Sequence, residues 1–201
     1  MEATASPKTA NPKTPRGEAT RRAILKAAET VIGTQGFNDA SIIDITREAG
    51  VAQGTFYIYF KSKDEVFSEL VREMGRLLRQ ALNAATAGAR DRLTAEKEGL
   101  RGFLSFVSAH PNLYRIIQEA LFVDPGAYRA YFQTFADGYR QALAEAQDAG
   151  EIRPGDPDVR AWALMGIAKT LGERAVVWGD ETPIDAVVEA AHDMIVNGLR
   201  R

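Results

Sequence analysis

Apolar residues recur along this chain three and four apart, the spacing of a helix face, and no stretch alternates long enough to suggest a strand. The first stripe is Ile24, Ala27, Ala28, Val31 and Ile32, and it stops at Gly33 to Gly36. Ser41 then stands where a helix cap belongs, with Asp44 in the first turn, where the dipole favours a carboxylate. Two short helices follow, meeting at Gly50, which supplies a tight turn. Ser62 with Glu65 forms a capping box and predicts a helix over 63–84. Another is expected over 92–109, ending before His110–Pro111, and a shorter one over 112–122. Asp124–Pro125, Asp156–Pro157 and Thr182–Pro183 each set a capping oxygen before a proline and open three more. Their ends are marked by Gly150, by Gly179 and by the chain terminus. The pattern predicts an all-α protein of about nine helices.

Composition narrows the function classes. At 201 residues, 45% apolar and 26% charged, the chain suits one compact unit or two small domains sharing a core. No apolar run approaches the ~18 residues of a membrane span, and no signal-peptide centre opens the chain, so no membrane partner and a cytoplasmic location are expected. The absence of cysteine excludes disulfides, thiol catalysis and cysteine–zinc sites. His110 and His192 lie far apart, without metal-ligand spacing, and the glycines form no phosphate loop. His110 reads as a helix end and His192 as part of a packing face, while Glu96, Glu98, Asp180 and Glu181 read as solvated charges. No catalytic residue, metal or cofactor is therefore expected. The net charge of −2 hides an asymmetry: residues 1–63 hold nine Lys and Arg against six Asp and Glu, and residues 64–201 hold sixteen against twenty-one. A basic leading piece on an acidic body fits a DNA grip joined to a domain with another task.

Three segments are expected: a disordered tail over 1–16, with Lys8, Lys13 and Arg16 able to brush phosphates; a DNA-binding domain over 17–63; and a ligand-binding and dimerisation domain over 64–201. The two short helices have the layout of a helix-turn-helix, whose second helix enters the major groove of double-stranded DNA. Ile45, Ala49, Val51 and Phe56 face inward and hold the pair together. Gln53 and Thr55, near the start of the second helix, are placed to reach base edges, and Gly54 lets the backbone approach closely. Tyr57 and Tyr59 offer hydroxyls to phosphates, and Lys63 adds a cation at a helix N-terminus. Ser41 completes this DNA-binding set.

Gly50-Val51, followed by Gly54-Thr55-Phe56-Tyr57-Ile58-Tyr59-Phe60-Lys61-Ser62-Lys63-Asp64-Glu65, closely resembles the signature of the TetR family of bacterial regulators. The helix ending in Gln35-Gly36-Phe37 is similar to that family's first helix, and the match covers residues 18–67. The resemblance implies a homodimeric repressor of a palindromic operator, released when a small-molecule effector binds the larger domain. It implies base-facing roles for Gln53 and Gly54 and phosphate contacts for Thr55, Tyr57 and Lys63. Ile43 departs from the pattern, standing where many members carry a polar group that touches DNA, and Thr46 replaces a frequent alanine.

In the larger domain, Tyr128, Tyr131, Phe132, Phe135 and Tyr139 share one helix at spacings that build an aromatic face, with Arg115, Arg129 and Arg140 nearby for an anionic group. The expected ligand set is Phe103, Phe106, Tyr114, Arg115, Phe122, Tyr128, Phe132, Phe135 and Trp162, for a mainly hydrophobic effector such as an acyl or aryl thioester or an aromatic acid. The last two helices, 157–178 and 183–199, are expected at a dimer face built from Ala161, Met165, Ala168, Gly172, Val187, Ala191, Met194 and Ile195, part of stripes that include Ile184, Val188 and Leu199 and that equally suit a core. Two other classes compete: an enzyme, for which no constellation is present, and a helical interaction module without DNA. Steep weakening of DNA binding by salt separates a regulator from such a module.

Overall fold

The computed structural model describes residues 14–198, all of whose regular structure is helical. Lys8, Lys13 and Leu199 lie outside the described residues, as does most of the expected tail. Nine helices occur among the described residues: α1 Pro15–Gln35, α2 Ile42–Glu48, α3 Gln53–Tyr59, α4 Lys63–Thr86, α5 Arg92–Ala109, α6 Pro111–Val123, α7 Pro125–Asp148, α8 Pro157–Val176 and α9 Ile184–Asn197.

Local chemistry accounts for most boundaries. Thr14 caps α1 by accepting a hydrogen bond from Gly17 N, so Pro15 and Arg16 are helical rather than the end of a tail. Ser41 accepts from Asp44 N, Asp91 from Thr94 N, Asp124 from Ala127 N and Asp156 from Val159 N, each closing an exposed helix start. At Ser62 only half of the expected box forms: Ser62 accepts from Glu65 N, but Glu65 turns back to Lys61 N instead of Ser62 N. The α9 start also differs. Thr182 bonds through its own N–H to Asp180, and the helix begins at Ile184 after Pro183, with no side-chain cap.

One apolar core runs unbroken from the small leading helices into the body. Ile24, Ile32, Ile45, Phe56 and Phe60 enclose Val66, Phe67 and Leu70 of α4, and the same helix carries Met74 and Leu78 onward against Ile116 and Ile117. α4 packs against α1, α5, α6 and α7, so it spans the boundary drawn after residue 63. α8 packs on α5 and α7, and α9 on α5, around a second cluster of Leu100, Leu104, Val188 and Ala191.

The contact between α1 and α6 is close enough to exclude a side chain. A Cβ on Gly33 would lie 2.4 Å from Asn112 Cβ. Beside it, Phe37 N donates to Glu119 of α6 at 2.7 Å, satisfying an amide just past the end of α1. On the other flank, Arg21 pairs with Glu69 at 3.2 Å and lies over the Phe60 ring. Burial works against the Glu69 charge, but bonds from Arg72 and Arg21 outweigh it and hold the carboxyl below its ordinary pKa.

Candidate DNA-reading head and ligand cavity

Helices α2 and α3 meet at Gly50, whose φ of 66° is the left-handed turn that glycine accepts without strain. Ile45 and Phe56 are fully buried, and Ala49 and Val51 pack against them, as expected. Thr46 is buried too, its hydroxyl donating to Ile43 O at 3.0 Å, so this polar side chain sits in the core without an unmet bond. The surface left free carries Gln53, Gly54 and Tyr57. Thr55 and Tyr59 are half-buried, and Ser41 is occupied by its cap and by Asp44. Ile43 and Ile58 add two exposed apolar side chains to the same pair of helices, 60% and 54% accessible.

Lys63 does not point outward. Its ammonium donates to the backbone carbonyls of Phe37 and Ala40, more weakly to Asn38, and stands 4.3 Å above the Phe37 ring. The side chain thereby straps the start of α4 to the α1–α2 loop. An ammonium has three protons, and all three are directed at carbonyls.

The body holds a cavity of about 380 Å³ between α4, α5, α6, α7 and α8, with Ile195 of α9 also in its lining. Of the ligand residues expected from sequence, Phe103, Tyr114, Phe132 and Phe135 line it, as do Tyr131 and Tyr139 of the aromatic face. The others do not. Phe106 is buried against His110, ring centroids 4.4 Å apart, in the core shared with the leading helices. Tyr128 packs on Phe132 outside the lining, and Arg115 and Arg129 are exposed. Arg140 is held by Asp137 and Asp158 at the surface. Phe122 is 84% exposed and Trp162 faces outward.

The cavity's polar groups were largely missed. Glu96, expected in solvent, is buried and accepts from Arg92 and from the Tyr139 hydroxyl, while Arg92 also lies over the Tyr139 ring. Burial, then the Glu96 charge, raises the Tyr139 pKa well above its ordinary value. Tyr114 donates to Lys169 O at 2.8 Å, and burial raises its pKa as well. Arg79, Asn83, Thr86, Gln118, Thr134 and Lys169 add further polar groups to the wall. An i,i+4 Arg–Glu pair on α5 and a lone glutamine inside the apolar run of α6 were the available signals.

The expected dimer residues lie mostly inside the chain. Ala161 and Ala191 are buried, Gly172 lies against the Phe103 ring, Val187 packs on the second cluster, and Met165, Ala168 and Ile195 line the cavity. Only Met194 of the set is exposed. The outward face of α8 instead presents Val159, Trp162, Ala163, Gly166 and Thr170, with Val177 and Trp178 just beyond it, and α9 adds Ala186 and Ala190.

Residues 24–70 match the family model of bacterial regulatory proteins, tetR family. These residues carry a TetR-family DNA-binding region. An HTH-type transcriptional regulator of Bacillus subtilis, YdgC, is 26% identical over 194 residues, covering 92% of this chain and 95% of that one. The fold is shared with FadR, a fatty acid degradation regulator from Bacillus halodurans, at 22% identity and TM-score 0.80 over 95% of this chain and 100% of that one. It is shared with FadR from Bacillus subtilis in complex with stearoyl-CoA, at 20% identity and TM-score 0.79 over 89% and 99%. AibR in complex with isovaleryl coenzyme A and operator DNA aligns at 17% identity and TM-score 0.71 over 87% and 97%. The chain is thus a DNA-binding transcriptional regulator with a helix-turn-helix head near its N-terminus. None of its described helices is long and apolar enough to cross a membrane.

Proposed function

We propose that this regulator is a cytoplasmic repressor that binds a palindromic operator as a homodimer and is released by a small, mainly hydrophobic effector, an acyl or aryl thioester. The observation that carries the reading is the cavity of about 380 Å³, mostly apolar, walled by α4 and α6, the two helices that also pack against α1. A ligand that widens or fills the cavity changes the same helices that seat the reading head. The acyl-CoA complexes of two structural relatives agree with a thioester in such a space.

In this reading, Gln53 and Gly54 meet base edges, and Thr55, Tyr57 and Tyr59 meet backbone phosphates. The exposed Val159, Trp162 and Gly166 of α8, with Ala190 and Met194 of α9, form the surface between protomers, in place of the inward residues expected from sequence. A row of large and small apolar groups left at a surface is what a helix-on-helix contact covers.

Selection of bound fragments from genomic DNA tests this directly. The reading requires enrichment of an inverted repeat protected by two protomers, with affinity falling steeply as salt rises. Enrichment of no sequence, or binding by a single protomer, contradicts it.

A further inference from the structure

Helix α3, the second helix of the helix-turn-helix head, carries no Arg, Lys, Asp or Glu. Helical spacing sorts its seven residues onto two faces. Phe56 is fully buried, and Thr55 and Tyr59 are half-buried beside it. Gln53, Gly54, Tyr57 and Ile58 are exposed and stand in two columns one turn long, Gln53 with Tyr57 and Gly54 with Ile58. The Tyr57 ring lies edge-on to Phe56, centroids 5.4 Å apart, which anchors this outer face to the core. A Cβ at Gly54 would meet nothing within 4 Å, so no packing inside the chain calls for a glycine there. The missing side chain instead opens the surface to an outside partner, one turn before the uncovered side chain of Ile58.

An uncharged face limits which bases it can read. In the major groove a G·C pair shows two guanine acceptors, which Arg or Lys matches, and a cytosine donor, which Asp or Glu matches. Helix α3 offers none of these, and Arg47 of α2 is paired with Asp44. An A·T pair instead shows the acceptor and donor of adenine and the methyl group of thymine. The exposed Gln53 amide carries a donor and an acceptor that match adenine. Ile58 is the exposed aliphatic side chain of α3, and so the group that a methyl can cover.

Resting on the assignment of α3 to base edges above, we propose that this head reads A·T base pairs, with Gln53 bonding adenine N6 and N7 and Ile58 packing on a thymine methyl where Gly54 lets the helix come close. Each operator half-site therefore carries A·T pairs under α3. Thymine is recognised there through an apolar contact, and no charged side chain of α3 takes part.

The test uses the full-length protein and synthetic duplexes. Selection from random DNA gives the half-site, and fluorescence anisotropy at one fixed salt concentration gives affinities. Deoxyuridine then replaces the thymine of each selected A·T pair in turn, which deletes the methyl and leaves the hydrogen-bonding edges in place. At one such pair the wild type should lose about fourfold in affinity per half-site, the worth of one buried methyl. Ile58→Ala should bind the thymine and uracil duplexes alike. In a second series 7-deazaadenine replaces adenine and should weaken the wild type by about tenfold at one position, with no further loss in Gln53→Ala. Both side chains are exposed, and the base analogues test the wild type without any variant. A half-site with G·C pairs throughout overturns the proposal. An A·T-rich half-site whose affinity ignores either analogue overturns it too, and indifference to both assigns the preference to duplex shape. Enrichment of no sequence removes the base-reading assignment itself, and the proposal with it.

Discussion

Replacing Lys63 with methionine separates a strap from a phosphate contact. The side chain keeps an unbranched apolar stem beside Phe37 but loses the ammonium that serves the carbonyls of Phe37, Asn38 and Ala40. A hydrogen bond to a charged group is worth about 1.5–3 kcal/mol. These three share one ammonium, and the Asn38 contact is long at 3.4 Å, so they do not add in full. The cation over the Phe37 ring contributes about 0.5–1 kcal/mol more. Together these give a loss of about 3 kcal/mol, which for a chain of this size is a fall of roughly 6–12 °C in the melting midpoint. Circular dichroism melts at fixed protomer concentration measure it, since dimerisation also moves the midpoint. The companion reading is the salt dependence of operator binding. A lost phosphate contact lowers the slope by about one unit, whereas a lost strap leaves the slope near that of the wild type. A variant that melts within about 2 °C of the wild type, with the slope reduced by about one, refutes the strap.

Other perturbations follow from named contacts. Gly33→Ala drives a methyl into Asn112 of α6, whose backbone Cα is only 2.8 Å from the new atom, and should cost about 1–3 kcal/mol in urea unfolding; an unchanged midpoint would mean that α1 and α6 shift apart freely. Ser68→Ala removes the bond that, as the largest cause, lowers the Asp124 pKa. A lowered folded-state value contributes stability above the ordinary 3.8 that fades as pH falls through and below it, so the gap to wild type should be present at neutral pH and close in acid; a constant gap would remove the link to the charged carboxyl. Trp162→Arg combined with Met194→Arg should give a single-chain mass by light scattering and loss of operator binding with helicity intact, whereas an unchanged dimer mass would place the interface elsewhere.

What the sequence could yield depended on distance along the chain. Ser41, Asp124 and Asp156 cap through bonds to amides three residues away, so those helix starts were legible, and Gly50 was legible because only a positive φ closes that turn. The partners of Lys63 lie 23 to 26 residues upstream, in a loop with no periodicity to betray its position, so the strap was not legible. In the body, helical spacing showed which residues share a face but not which neighbour that face meets. Phe106 and Phe132 look alike in such a pattern, yet one packs on His110 and the other lines the cavity. The same ambiguity put the inward Ala161 and Ala191 on a dimer surface, while Trp162, one residue away, holds the exposed position. Glu96 reads as a solvated charge in the sequence because its partner Tyr139 is 43 residues distant.

Fluorescence anisotropy of a labelled operator duplex, titrated with octanoyl-CoA after the regulator is bound, tests the central claim of an effector-released DNA-binding protein most directly. The account predicts a saturable fall to the value of free duplex, with a midpoint at or above the thioester concentration that half-saturates the free protein, because the DNA-bound form binds the effector less tightly. Anisotropy that stays at the bound value through saturation of the protein by the thioester would contradict it.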